Sequence, residues 1–317
     1  MMDNTPITKS SSAPSDQELD VSVVLVCWNN KDYLEPCLIS LYENGLKFSF
    51  DVVVVDNGST DGSQEMLTEK FPQVLLIQND RNVGLSSASN QGIEATTGRY
   101  ILLLNNDTLV NQDSLEALVA FMDEHPDAGA AGGKLLNPDG TLQAGYGIFP
   151  NLTHEFLIAS GLGRMIWSNY PDHHTSKDIL SVGWLSSACL MLRRSALEKV
   201  GMLDEEFFIY GDEVDLQYRL KLSGWQVYYL PQASTIHFGG RSMNRWSRRK
   251  MVNRGKIRFF QKNYSHLSTF SLKLMLGVLS FLKLLVWGIL WLIPKNRQRS
   301  YKELCSNIEV IQLCFTN

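Results

Sequence analysis

From Val21 to about residue 135 the chain alternates short β-branched apolar runs with helical segments, and no other feature restricts its possible folds as much. "VSVVLVCW", "DVVVVD", "VLLIQN" and "YILLLN" have the length and content of strands buried on both faces. Between them, "KDYLEPCLISLYEN", "TDGSQEMLTEKF" and "GLSSASNQGIEATTG" have helical spacing. Thr60 or Asp61 is expected to N-cap the second helix, and Gly98 to close the third. Strands separated by helices of about 10–15 residues imply an α/β domain with a mostly parallel sheet and helices on both faces. Ligands of such sheets bind beyond the carboxyl ends of the strands, near the reversal in strand order. Three polar groups fall at such ends: Trp28-Asn29-Asn30, Asp56-Asn57-Gly58 and Asn105-Asn106-Asp107. Strands also end in plain turns rich in Asn and Asp, so position alone does not separate a site from a turn.

The pattern blurs from about residue 140 to 185, where aromatics, glycines and "PDHHTSKD" predict an irregular, lid-like insertion. "WLSSACLMLRRSALEKVG" resumes as strand and helix, and "QVYYLP" reads as a further strand. In "YGDEVDLQYRL" three carboxylates open a helix from about Asp212 to Leu222, stopped by Gly224. Asp212 suits the N-cap, and Asp215 suits a capping box and an i,i+4 pair with Arg219. Glu213 is left without a structural task. A carboxylate among carboxylates at a helix mouth can have a raised pKa and act as a general base. His237 opens "HFGGRS", whose glycines permit close approach of a phosphate; a metal ligand and an ordinary structural histidine fit the position as well.

Charge is divided unevenly. The net charge of −4 comprises a balance of −19 up to Asp215 and +15 after it, with no acidic residue between Asp215 and Glu303. Such a basic block suits a polyanionic surface. It runs directly into "FSLKLMLGVLSFLKLLVWGILWLIP", close to the roughly 20 apolar residues of a membrane span, which argues for lipid and against nucleic acid. Lys283 interrupts that stretch and both flanks are basic, which favours a helix lying in the membrane interface, or a re-entrant hairpin. The five cysteines form no CxxC pair, so reduced thiols and a cytoplasmic setting are expected. The expected organisation is a disordered tail over 1–20 with no signal peptide, an α/β domain over 21–262, and a membrane-associated helix with basic tail over 263–317.

Taken in order, these segments resemble the family 2 glycosyltransferases, inverting enzymes of GT-A fold. The resemblance rests on "VSVVLVCWNNKDYLEPCLISL", "VVVVDNGSTDGS", the Asn82, Gly84, Asn90 and Gly92 pattern of "NVGLSSASNQGI", "LLLNNDT", "VGMLDEEFFIYGDEVDLQYRLKLSGW" and "HFGGRS", from about Val21 to Ser242. Within the family the chain is most similar to bacterial rhamnosyltransferase-type enzymes of O-antigen and cell-wall glycan assembly. The resemblance implies transfer of a sugar, best read as rhamnose from dTDP-rhamnose, with inversion. The acceptor would be a polyprenyl-diphosphate-linked or other glycan at the cytoplasmic face of the inner membrane, beside anionic lipids. Galactosyl, glucosyl or N-acetylhexosaminyl transfer are alternatives.

The resemblance also implies roles by position. Asp56 would contact the base or ribose of the nucleotide-sugar, with Trp28, Asn29, Asn82, Gly84 and Asn106 nearby. Asp107 and His237 would hold Mg2+ or Mn2+ on the diphosphate, and Arg241 would help hold its charge. Glu213 would be the catalytic base, with Asp212 in reserve. Two departures stand out: Asn105 replaces the first Asp of a fuller Asp-x-Asp, and many relatives read Glu-Asp where this chain has Asp212-Glu213. They leave open a membrane-bound scaffold that keeps the fold without activity. A nucleotidyltransferase would need a Gly-rich first loop, which "VCWNNKDYLEP" lacks.

Overall fold

The computed structural model describes residues 19–166, 176–239 and 244–315. The strands are β1 (Val21–Cys27), β2 (Phe50–Asp56), β3 (Leu75–Gln78), β4 (Tyr100–Asn105), β5 (Thr108–Leu109), β6 (Ala128–Leu136), β7 (Leu142–Gln143), β8 (Tyr146–Gly147), β9 (Leu180–Ser181), β10 (Trp184–Leu185), β11 (Cys189–Arg193) and β12 (Gln226–His237). The helices are α1 (Lys31–Tyr42), α2 (Ser63–Lys70), α3 (Leu85–Glu94), α4 (Gln112–Glu124), α5 (Leu152–Ser160), α6 (Leu162–Ile166), α7 (Arg194–Val200), α8 (Asp212–Leu222), α9 (Arg245–Asn263), α10 (His266–Trp291) and α11 (Arg297–Phe315). The main sheet runs β3-β2-β1-β4-β11-β6-β12-β5, with β7 added to β6 and β9 to β12. β3, β2, β1 and β4 are parallel, and β12 is parallel to β6. β11 enters antiparallel between β4 and β6, so the sheet is mixed.

The apolar runs are continuous because the sheet is covered on both faces. Val23, Leu25 and Leu102 meet Leu34, Leu38, Met66 and Leu118 from α1, α2 and α4. Val24, Ile101 and Leu103 face the other way, toward Ile93, Leu197 and Leu216 from α3, α7 and α8. Side chains alternate along a strand, so one run of "VSVVLV" feeds two cores.

Several expected boundaries move. α3 ends at Glu94, with Ala95 as its cap. Gly98 instead allows the chain to touch β1: a Cβ there would lie 2.6 Å from Ser22 N, and Gly98 N donates to Ser22 Oγ at 3.0 Å. α2 begins at Ser63, and Asp61 rather than Thr60 accepts from its first N–H at 3.1 Å, from just outside the cap position held by Gly62. α8 does begin at Asp212, but Gly211 occupies the N-cap with φ 97°. Asp212 therefore lies inside the first turn and does not cap. Asp215 forms the expected pair with Arg219 Nε at 2.9 Å, yet no capping box. Its fully buried carboxylate also binds Lys262 Nζ at 2.8 Å and Asn263 Nδ2 at 2.9 Å, tying α8 to α9.

The 140–185 stretch is more regular than expected. Asn151 caps α5 by accepting from His154 N at 3.0 Å, and β8 pairs with β10. Most of "PDHHTSKD" and all of residues 1–18 lie outside the described residues. The basic segment forms α9, and the tail beyond the apolar helix forms α11. With α10 they share a core of Ile257, Phe259, Phe260, Leu272, Leu276 and Val310 that reaches Phe207. All five thiols are free.

Gly98→Ala is expected to destabilise the fold by about 2 kcal/mol, because backbone atoms of β1 cannot yield to a new methyl. Asp215→Ala should cost more, about 3–5 kcal/mol, since it strands two partly buried cations. Denaturant unfolding of the two variants against the parent checks the values and their order.

Candidate active site

The carboxyl ends of β1 and β4 open onto a cleft of about 510 Å³. Trp28, Asn82, Asn106, Asp107, Asp212, Glu213 and His237 all line it. Asn29, Asp56 and Gly84 are not among its lining residues. Asn29 adopts φ 49°, and its Oδ1 accepts from Thr60 N at 2.8 Å, joining the first and second strand-end loops. Asp56 is fully buried at the end of β2, where Oδ2 accepts from Ser59 N at 2.9 Å and Gln64 Nε2 at 2.6 Å. Its Oδ1 has no partner among the described residues. Asn106 stitches loops together, accepting from Asn30 Nδ2 at 2.6 Å and donating to Val26 O at 2.9 Å. Arg241 lies outside the described residues.

The segment before α8 is held by α3. Leu85 N donates to Phe208 O at 2.7 Å and Ser86 Oγ to Phe207 O at 2.5 Å. Asn90 bonds Leu203 in both directions, at 2.8 and 3.1 Å. The Asn82–Gly92 motif thus positions the approach to α8 as well as the cleft wall. That approach ends in Tyr210, a non-glycine residue with φ 66°, followed by left-handed Gly211. A bulky side chain in this region costs on the order of 1–3 kcal/mol, and such strain collects at functional sites. The turn delivers Asp212 and Glu213 to the cleft. α9 clamps it from behind, where a Cβ on Gly255 would lie 2.1 Å from Tyr210 O.

Burial raises the Asp212 pKa, and one of its oxygens has no hydrogen-bond partner among the described residues. Burial also holds Glu213 well above the ordinary carboxylate range, and the neighbouring Asp212 charge pushes it further up. Glu213 accepts from Gly211 N at 3.1 Å. Two adjacent carboxyl groups in one low-dielectric wall share a proton, which Glu213 keeps to higher pH. Arg248 lines the same cleft, and its buried Nε has no partner among the described residues. The sequence showed Arg248 only as one cation of a basic run; the seating of α9 on the Tyr210–Gly211 turn puts it in the site.

Opposite the carboxylates, Asp107 Oδ1 lies 3.3 Å from His237 Nε2, and Asn105 Nδ2 lies 3.2 Å from the same nitrogen. Gln143, from β7, fixes the imidazole. Its Nε2 donates to Asn137 Oδ1 and His237 O, leaving Oε1 to face His237 Nδ1 at 2.9 Å. This network assigns the proton to Nδ1 and leaves the Nε2 lone pair directed toward Asp107. The Asn105 amide donates to that lone pair, and a cation between the imidazole and the Asp107 carboxylate would relieve the repulsion between their lone pairs. The pair therefore fits two ligands of a divalent ion whose remaining ligands are substrate oxygens and water. Among the described residues no group of three or more His, Cys, Asp or Glu forms a complete metal site. Gln143 was invisible as a site residue, because its partner is 94 residues away.

A carboxyl whose pKa rises on folding contributes stability at low pH and loses it as pH climbs through the folded value. Glu213→Gln stays neutral throughout. It is expected to unfold at a higher temperature than the parent at about pH 8, and at nearly the same temperature at about pH 4, below the ordinary Glu pKa. Thermal melts at the two pH values check the crossover.

Comparison with known proteins identifies the family and the fold. The profile of glycosyl transferase family 2 matches residues 22–201. The chain is 32% identical over 239 residues to the N-acetylglucosaminyl-diphospho-decaprenol L-rhamnosyltransferase of Mycobacterium tuberculosis, covering 70% of this chain and 77% of that protein. It is 30% identical over 232 residues to the O-antigen biosynthesis protein RfbC of Myxococcus xanthus, covering 68% of this chain and 17% of that protein. Its fold resembles the mannosyltransferase PcManGT from Pyrobaculum calidifontis in complex with GDP-Man and Mn2+, with a TM-score of 0.55 at 16% identity over 94% of this chain and 89% of that one. It also resembles GalNAc-T7 with UDP, GalNAc and Mn2+, with a TM-score of 0.57 at 17% identity over 78% of this chain and 48% of that one. A cleft at the switch point of a GT-A sheet, walled by paired carboxylates on one side and an Asp–His pair on the other, is therefore found on a chain that belongs to glycosyltransferase family 2.

Proposed function

We propose that this glycosyltransferase moves rhamnose from a nucleotide-sugar to a polyprenyl-diphosphate-linked glycan, in one inverting step at a membrane surface. The observation that carries the reaction is that Asp212 and Glu213 line one cleft with Asp107 and His237, where burial holds the Glu213 pKa up. The similarity to the mycobacterial rhamnosyltransferase and to RfbC supports the sugar and the acceptor.

In this reading Trp28, Asn82 and Asn57 border the nucleotide half of the cleft, and Asp56, with its free buried oxygen, answers a donor group of the base or ribose. In its ionised form Glu213 takes the proton of the acceptor hydroxyl. The hydroxyl oxygen bonds the anomeric carbon as the bond to the diphosphate oxygen breaks, and the single displacement inverts that carbon. Asp212 keeps the Glu213 pKa high, so the base holds a proton firmly once it has taken it. Asp107 and His237 would hold a divalent metal, which neutralises charge on the departing diphosphate. Arg248 supplies a further cation on the same wall, and Gln143 keeps the His237 lone pair directed inward.

The C-terminal layer supports the membrane placement. α10 is 26 residues long, is long and apolar enough to cross a membrane, and is mostly exposed along its most apolar stretch. Leu267, Phe270, Leu274, Val278, Phe281 and Leu285 are exposed at helical spacing along one side. At its far end Arg297 lies over Trp291 and Arg299 over Trp287, a combination suited to anionic lipid headgroups at the cytoplasmic face.

The test is nucleoside diphosphate release by the purified chain in detergent. Donors are dTDP-rhamnose, UDP-galactose, UDP-glucose and UDP-N-acetylglucosamine, each with Mg2+ or Mn2+ and a polyprenyl-diphosphate glycan. Metal-stimulated release with dTDP-rhamnose is expected, and loss of base catalysis in Glu213→Gln should lower kcat by about 10²–10⁴. Release that persists in Glu213→Gln moves the base elsewhere, and activity with another donor alone rejects rhamnose. Gln143→Ala is expected to raise the metal concentration for half-activation by about 10- to 100-fold with a smaller change at saturating metal, the mark of a lost imidazole support.

A further inference from the structure

Two more cavities adjoin the cleft in a row. The first, about 280 Å³, shares Tyr210 and Glu213 with the cleft and is walled by Tyr146, Trp184, Val252 and Phe259. The second, about 330 Å³, shares Glu155, Ile158, Val252 and Lys256 with the first and reaches the inner side of α10. The character changes along the row. The middle pocket is apolar and aromatic, which suits the faces of a sugar ring. The far one presents Arg249, Lys256 and Lys283, with Asn253, Asn307 and Ser280 between them.

The cations of the far cavity are unequally satisfied. Lys256 is matched by Glu155 at 2.5 Å and Arg249 by Glu303 at 2.7 Å. Lys283 Nζ donates to Ala159 O at 2.7 Å, and among the described residues no carboxylate stands within ion-pair distance of it. An ammonium group turned inward from the middle of an apolar helix is expensive where a leucine would pack as well. A bound anion offsets that expense. The other side of the same helix is the apolar stripe that faces lipid in the reading above.

We infer that the cavity beneath α10 seats the diphosphate of the lipid-linked acceptor, with Lys283 as its cation, while the acceptor sugar occupies the aromatic pocket and presents its hydroxyl to Glu213. The inference rests on the transfer reading. Hydrocarbon, diphosphate, sugar and base then follow one another in the order α10, far cavity, middle pocket, Glu213. The bulk anionic headgroup of a phospholipid shares the charge but has no reason to lie in line with the base.

The test titrates the full chain in detergent, in metal-free buffer, with geranylgeranyl diphosphate, geranylgeranyl monophosphate and dioctanoyl-phosphatidylglycerol. Calorimetry serves as the readout, with the change in total tryptophan fluorescence beside it. The diphosphate is expected to bind more tightly than the other two. Lys283→Gln should weaken it about tenfold, or about 1.4 kcal/mol, and Lys283→Arg should restore it. An affinity unchanged in Lys283→Gln, or phosphatidylglycerol binding as tightly as the diphosphate, overturns the assignment. If Lys283→Gln does not fold, Lys283→Met keeps the aliphatic stem in the apolar helix and removes only the ammonium, and the same tenfold loss is expected. Sugar transfer is read separately. Transfer with lipid binding insensitive to the cavity variants rejects the cavity alone. Lys283-dependent lipid binding without release from any donor supports the cavity and rejects the transfer reading.

Discussion

The parallel pairing of β1 with β4, from Val21 opposite Tyr100 to Val26 opposite Asn105, is the constraint on which the site depends. β2 and β3 extend the sheet on one side of β1, and the chain then crosses back to place β4 on the other. That reversal leaves a gap between the loops leaving β1 and β4, where the sheet's own polar edge meets solvent. Asn106 spans it by bonding both Asn30 and Val26. Shifting either strand by one residue would turn its whole apolar set toward the wrong core, so burial on two faces fixes the register and, through it, the position of Asp107.

The three carboxylates of α8 show how neighbours divide labour among like groups. Asp215 is neutralised by Arg219 and Lys262 and serves to anchor α9. Asp212 and Glu213, within one turn of it, have no cation at ion-pair distance among the described residues, and burial drives both pKa values up. The strained Tyr210–Gly211 turn faces the second pair toward the cleft while the first remains in the interior. Stability is spent at this turn and recovered by α9, which supplies Lys262 to one carboxylate and Arg248 to the wall beside the others.

The C-terminal helices follow the same economy. α9 presents basic residues to three places at once: Arg248 to the cleft, Lys256 to the buried Glu155, and Arg249 to Glu303 of α11. The block that looked like one polyanion surface is thus divided among intramolecular partners, the cleft wall and the end of α10, where Arg297 and Arg299 lie over Trp291 and Trp287. α10 completes the layer with an inner side that packs through Leu272 and Leu276 and an outer side that is apolar and exposed.

Local order along the chain determined the first four strands, the helices between them, the family and the candidate carboxylates of α8. Each of these follows from periodicity or from motifs a few residues long, and Glu213 stood out because Asp212 and Asp215 had other tasks to fill. Those other tasks were partly misassigned. Asp212 does not cap α8 because Gly211 takes that position with a backbone only glycine adopts cheaply. Gly98 marks a contact with Ser22, 76 residues away, where a helix end had been expected. Gln143 beside His237, Arg248 in the cleft and Lys283 turned inward were not legible at all, since each depends on a partner more than 90 residues distant or on which side of a helix finds a neighbour. Sequence spacing encodes which residues share a face. Only the packed chain decides what that face meets, because burial, and with it the pKa of Glu213, is a property of neighbours brought together by folding.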